Sequence, residues 1–96
     1  MANEAHLPRP MRFGLGGTTL ELSLGRERTG QVWLFIDRVV NGQPADNPDQ
    51  WELDSTDITH FSRGVEAALA ELGLPEGDAA EVAETFSSGV WPQLRP

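Results

Sequence analysis

Five carboxylates crowd one short stretch of this chain, Asp46, Asp49, Glu52, Asp54 and Asp57, and His60 follows one helical turn after the last of them. Carboxylates this close could hold Ca²⁺ or Mg²⁺, which prefer hard oxygen donors. The order does not fit an EF-hand loop, which needs ligands at alternate positions around a central glycine. Loop solvation and helix capping are therefore the expected roles, and no metal is assigned. Asp57 and His60 could also act as an acid/base pair, with Ser55 nearby as a nucleophile. Residues i and i+3 of one helix are mere neighbours, whereas a triad is assembled from separate elements around a pocket. His6 and His60 are the only histidines, so no catalytic residue is assigned. The glycine cluster Gly14, Gly16 and Gly17 lacks the lysine and Ser/Thr of a phosphate loop and is followed by a strand pattern instead of a helix.

The elements that must position these groups are legible from hydrophobic period. Residues 54–73 read as one amphipathic helix whose apolar stripe is Ile58, Phe61, Val65, Ala68, Leu69 and Leu72, spaced three or four apart. Its polar face carries His60, Arg63, Glu66, Ala67 and Glu71. Ser55, Thr56 or Asp57 can cap its start, and Gly73 with Leu74 and Pro75 fits a Schellman ending. A second helix is predicted over 78–88, with Asp78 as N-cap, Glu81 three residues on, a stripe of Ala79, Val82, Ala83 and Phe86, and Gly89 as its stop.

Upstream, residues 18–24 alternate strictly, with Leu20, Leu22 and Leu24 on one face. A polar loop over 26–30 leads to a second strand over 31–40, where Val32, Leu34 and Ile36 share one face and Trp33 and Phe35 the other. Residues 11–17 hold a further strand ending in glycines, 41–50 a Pro/Asn/Asp/Gly loop, and 51–53 a short edge strand. Strands first and helices after imply an α+β domain: an antiparallel sheet of three to four strands with a helical hairpin on one face. Residues 1–10 are expected to form a flexible arm, and 11–96 a single domain.

Two local resemblances accompany this pattern. Asp54-Ser55 opening a helix in an acidic context resembles the attachment site of acyl carrier proteins, which implies a carrier role for Ser55. Thr56 replaces that family's usual leucine, and the N-terminal half reads as strands where carriers are all helical. Residues 59–82 are similar to the last two helices of truncated haemoglobins, in which a His-Phe pair opens a helix that ends in an L-G-x-P turn. This covers about a quarter of the chain and omits the segment that supplies the proximal haem histidine. Neither likeness assigns the chain to a family, and no cofactor is expected.

Charge is divided unevenly. Residues 1–40 carry +1, whereas 41–96 set eleven carboxylates against Arg63 and Arg95, for −9. Such a surface repels phosphate and anionic lipid and steers basic partners inward. There is no cysteine, the N-terminus lacks a signal-peptide pattern, and the longest apolar run, 32–36, is too short to span a bilayer, so a cytoplasmic location is expected. Of three tryptophans, Trp33 is expected in the core, while Trp51 and Trp91 fit either a core or an interface. The functional expectation is a non-enzymatic binding or accessory module that docks to a basic protein, without direct nucleic-acid or membrane binding, and open to homo-oligomerisation or membership of a larger complex. Its candidate contact residues are Trp51, Asp54, Asp57, His60, Glu66, Glu71 and Trp91. The rival is a small enzyme or ligand carrier using Asp57, His60 and Ser55, which requires a concave pocket at the start of the first helix. If the chain is instead a subunit of a large complex, the sheet face around Trp33 and Phe35 should stay exposed in the monomer.

Overall fold

A computed structural model describes residues 7–45 and 48–94. Most of the expected arm, Asp46 of the acidic run, and the last two residues lie outside them. Within the arm's described part, Pro8 is buried.

The element order is β1 (Met11–Leu15), β2 (Thr18–Arg26), β3 (Val32–Val40), β4 (Gln43–Pro44), β5 (Asp49–Leu53), α1 (Ile58–Glu71) and α2 (Glu76–Leu94). All strand pairings are antiparallel: β1 with β2, β2 with β3, and β3 on its far edge with β5 over Val32–Ile36 and with β4 at Val39 and Val40. The α+β architecture with a helical hairpin on one sheet face is thus present, with five strands. The additional strand comes from Asn41-Gly42, which lies inside the expected loop. Both residues have positive φ, 54° and 81°, as a two-residue type I′ hairpin turn requires, and Asn-Gly tolerates that conformation best. Gly16-Gly17 closes the β1–β2 hairpin in the same way, with φ of 53° and 93°.

Strand alternation decides which face meets the helices. Leu20, Leu22, Leu24, Val32, Leu34, Ile36 and Leu53 are buried and join Phe61, Val65, Leu69, Val82, Phe86 and Val90 in one core cluster. Trp51 pairs with Leu34 and packs against that cluster from the same face. Trp33 does not enter the core as expected. It lies half-buried with Phe35 on the opposite face, where its indole N–H donates to Glu27 Oε2 at 3.0 Å. The reason is tertiary: β3 is apolar on both faces, and only one receives the helices.

The stripe of α1 is correct at Phe61, Val65, Ala68 and Leu69, with Leu72 partly buried, but Ile58 at the first helical position is 41% exposed. The ending is the expected Schellman motif. Leu74 N–H donates to Leu69 O at 3.2 Å and Gly73 N–H to Ala70 O at 2.9 Å, with Gly73 at φ +97°, a conformation glycine adopts without Cβ strain.

The second helix departs from expectation at both ends. Ala79 N–H donates to Pro75 O at 2.9 Å, so Pro75 holds the cap position and Asp78 lies inside the first turn. Proline's fixed φ suits helix entry, and Glu76 and Asp78 complement the positive end of the dipole. At the other end α2 runs through Gly89 and Pro92 to Leu94. Glycine costs about 1 kcal/mol against alanine inside a helix. Burying Val90, 1% exposed, returns roughly 1.5–3 kcal/mol, and packing of Trp91 and Leu94 against the core adds to it. Pro92 removes one N–H near the helix end, and the Gln93 side-chain amide donates to Gly89 O at 3.0 Å, supporting the last turn.

Ser87, 2% exposed on the core side of α2, has a hydroxyl without a hydrogen-bond partner. An unsatisfied buried hydroxyl costs about 1–3 kcal/mol. Ser87→Ala should therefore raise the melting temperature by several degrees, as differential scanning calorimetry would record; an unchanged or lower value would mean that the hydroxyl is satisfied. No helix of the described residues is long and apolar enough to cross a membrane.

Candidate functional site

The residues singled out by the sequence fall into four places. Asp54, Asp57 and His60 lie at the junction of β5 and α1. Asp57 is the N-cap: in extended conformation, its Oδ1 accepts from His60 N–H at 2.9 Å, and its Oδ2 lies 2.7 Å from His60 Nδ1. An ionised carboxylate only accepts, so the Nδ1 proton points to Asp57 and the imidazole is held as part of the cap. Asp54 Oδ1 accepts from the Thr56 hydroxyl at 2.6 Å and from Thr56 N–H at 3.0 Å. Asp54 and Asp57 of the acidic run are thus engaged in turn and cap bonds. Among the described residues, no three His, Asp or Glu side chains converge as a metal site.

These bonds favour the ionised carboxylates. Asp54 is held below the ordinary 3.8 first by the Thr56 hydroxyl and then by the Thr56 N–H. Asp57 is held low first by the His60 N–H and then by the His60 ring. Folding lowers both values, so both groups stabilise the fold above the unfolded-state pKa, and this contribution is lost as pH falls through the lower folded-state values. The double variant Asp54→Asn, Asp57→Asn should therefore show a flatter acid limb in a plot of melting temperature against pH. A limb as steep as the parent's would place the acid sensitivity elsewhere.

Trp51 and Glu71 meet each other: the Trp51 indole N–H donates to Glu71 Oε1 at 3.2 Å, tying β5 to the end of α1. Trp91 packs against Phe61, with ring centroids 5.5 Å apart, and is half-buried at the core's edge. Glu66 is half-exposed on α1 and joins none of these contacts.

The rival reading requires a concavity at the start of α1, and one of about 510 Å³ is there, lined by Glu52, Asp54, Ser55 and Thr56 against Thr29, Gly30 and Gln31 of the β2–β3 loop. Asp57 and His60 do not line it, so Ser55 is not joined to the Asp-His pair in one pocket.

A second concavity, of about 560 Å³, lies at the opposite end of the sheet, between the β1–β2 turn, the end of β3 and the α1–α2 turn. Its walls come from separate parts of the chain, so it has no local sequence signature.

The helical layer itself carries the strongest charge. Residues 57–94 hold seven carboxylates against Arg63, a formal −6. Glu71, Glu76, Glu81 and Glu84 are exposed, and Glu66 and Asp78 are half-buried. Among the described residues the arginine–carboxylate ion pair is Arg12–Glu21, and Asp57 is bonded to the His60 ring, so the other six of the seven carboxylates are in no ion pair. No protein-family model matches the chain, and neither the curated proteins nor the solved structures contain a significant match to it.

Proposed function

We propose that the chain is a small non-enzymatic binding module, acting in the cytoplasm, that docks to a basic protein through the outer face of its helical hairpin. The observation that carries this reading is the helical layer's −6 charge, six of whose carboxylates have no ion-pair partner among the described residues. Held by two packed helices, these groups present a fixed negative field that raises the association rate of a basic surface and disfavours phosphate. Antitoxin, inhibitor and accessory-subunit roles share this chemistry. Affinity isolation from the native host, with the chain and a Glu71→Gln, Glu81→Gln, Glu84→Gln variant as parallel baits, tests it. A basic protein retained by the parent at low salt, and lost both at high salt and on the variant, is expected. Identical capture by both baits would overturn the proposal.

Two other observations each favour a further reading. Trp33 and Phe35 on the helix-free sheet face support self-association or a place in a larger complex; size exclusion of the chain would then give a mass above 10.5 kDa. The concavity holding Ser55 supports ligand carriage, which a phosphopantetheinyl mass increment on Ser55 would establish.

A further inference from the structure

We infer that the cleft at the α1–α2 turn is where the basic partner inserts a cationic side chain together with an apolar neighbour. This rests on the binding-module reading and assigns it a specific anchor point. At about 560 Å³ the cleft falls in the range of small-ligand pockets and has room for more than one side chain. Its floor is apolar, formed by Leu15, Leu20, Ile36, Leu72 and Leu74.

The rim gives the cleft its sign. β5 pairs with β3 only as far as Asp49 opposite Ile36, and β4 takes over at Val39, so Arg38 borders the gap between the two pairings. Asp49 and Asp78 line the cleft together with Arg38, leaving one carboxylate in excess, and Asp37 adds a further one. α1 ends here with no basic residue in its last turn, so the negative end of its dipole adds to the field. The positive end of α2 is offset by Glu76 in its first turn. A simple anion meets this charge unfavourably, and among the described residues no three ligating side chains converge to hold a metal ion. A purely apolar group would fill the floor without using the rim. The occupant that uses both is a positively charged side chain beside an aliphatic or aromatic one, as a basic protein surface presents.

The test uses the isotope-labelled full chain and two acetylated, amidated hexapeptides of equal charge, RLRWRL and RGRGRG, followed by heteronuclear NMR. The apolar peptide should bind about tenfold more tightly than the glycine peptide, with shifts centred on Thr18, Arg38, Gly73 and Leu74. Asp78→Arg should weaken it about tenfold or more, whereas Glu84→Arg, the same charge change outside the cleft, should have a far smaller effect. Melting curves of both variants control for folding. Equal affinity for the two peptides, equal effects of the two substitutions, or no binding of either peptide overturns the cleft as anchor. The binding-module reading survives each of those results, because it fails only if partner capture is identical for the parent and the Glu71→Gln, Glu81→Gln, Glu84→Gln variant.

Discussion

Phe61→Asp is expected to abolish the cooperative thermal transition, while Ile58→Asp, three residues earlier on the same helix, is expected to melt close to the parent. Phe61 is fully buried and lies between Phe86, at 6.5 Å in a stacked arrangement, and Trp91, at 5.5 Å. It therefore joins α1 to both the middle and the end of α2. Truncation of a buried phenylalanine to alanine costs about 3–5 kcal/mol, against a total of roughly 5–15 kcal/mol for a domain. At roughly 4–8 °C per kcal/mol in a chain of this size, Phe61→Ala alone should lower the melting temperature by at least about 12 °C. The aspartate adds an unpaired buried charge to that loss. Ile58 is 41% exposed at the first helical position, where a carboxylate meets the positive end of the dipole favourably. Circular dichroism melts of both variants decide the matter, since similar curves would mean that α1 presents a different face to the sheet.

Val90→Asp is expected to be nearly as damaging, and Gly89→Ala harmless or stabilising. Val90 is 1% exposed, so the aspartate would bury a charge among apolar side chains, a defect of several kcal/mol. Gly89 has no positive φ, and a Cβ there would meet Met11 Sδ at 3.5 Å, an ordinary contact. Alanine should then add up to about 1 kcal/mol through helix propensity. If the helix instead ended at Gly89, as the local sequence suggests, the alanine variant would lose stability and the aspartate at position 90 would be tolerated in solvent. Urea titrations of the two variants separate these outcomes.

The contrast between the two helices explains what was legible in the sequence. In α1 the cap Asp57, the stripe from Phe61 to Leu69 and the Gly73 stop all lie within one local window, so period and terminal chemistry agree. In α2 the local stop signals Gly89 and Pro92 are overridden by burial of Val90 and contact of Trp91 with Phe61, which depends on where α1 lies. The tryptophans follow the same logic. Strand alternation places Trp33 and Phe35 together, but which face of β3 receives the helices is a property of the whole fold, so Trp33 lies outside the core it was expected to join, while Trp51, which fitted either a core or an interface, packs against it. Of the candidate contacts, Asp57 with His60 was readable from i, i+3 spacing. The Trp51–Glu71 bond joins residues 20 positions apart, and the cleft brings together Leu15, Asp49 and Asp78; neither has a local signature.

The helical layer's charge connects these packing facts to the proposed docking role, because the core contacts of Phe61 and Val90 hold the helices that carry its carboxylates. The dissociation constant of the captured basic partner, measured against ionic strength for the parent and for the Glu71→Gln, Glu81→Gln, Glu84→Gln variant, tests that connection most directly. The account requires affinity to fall steeply with salt for the parent, and to be weaker and less salt-dependent for the variant. A dissociation constant that is independent of salt and equal for both proteins would contradict it.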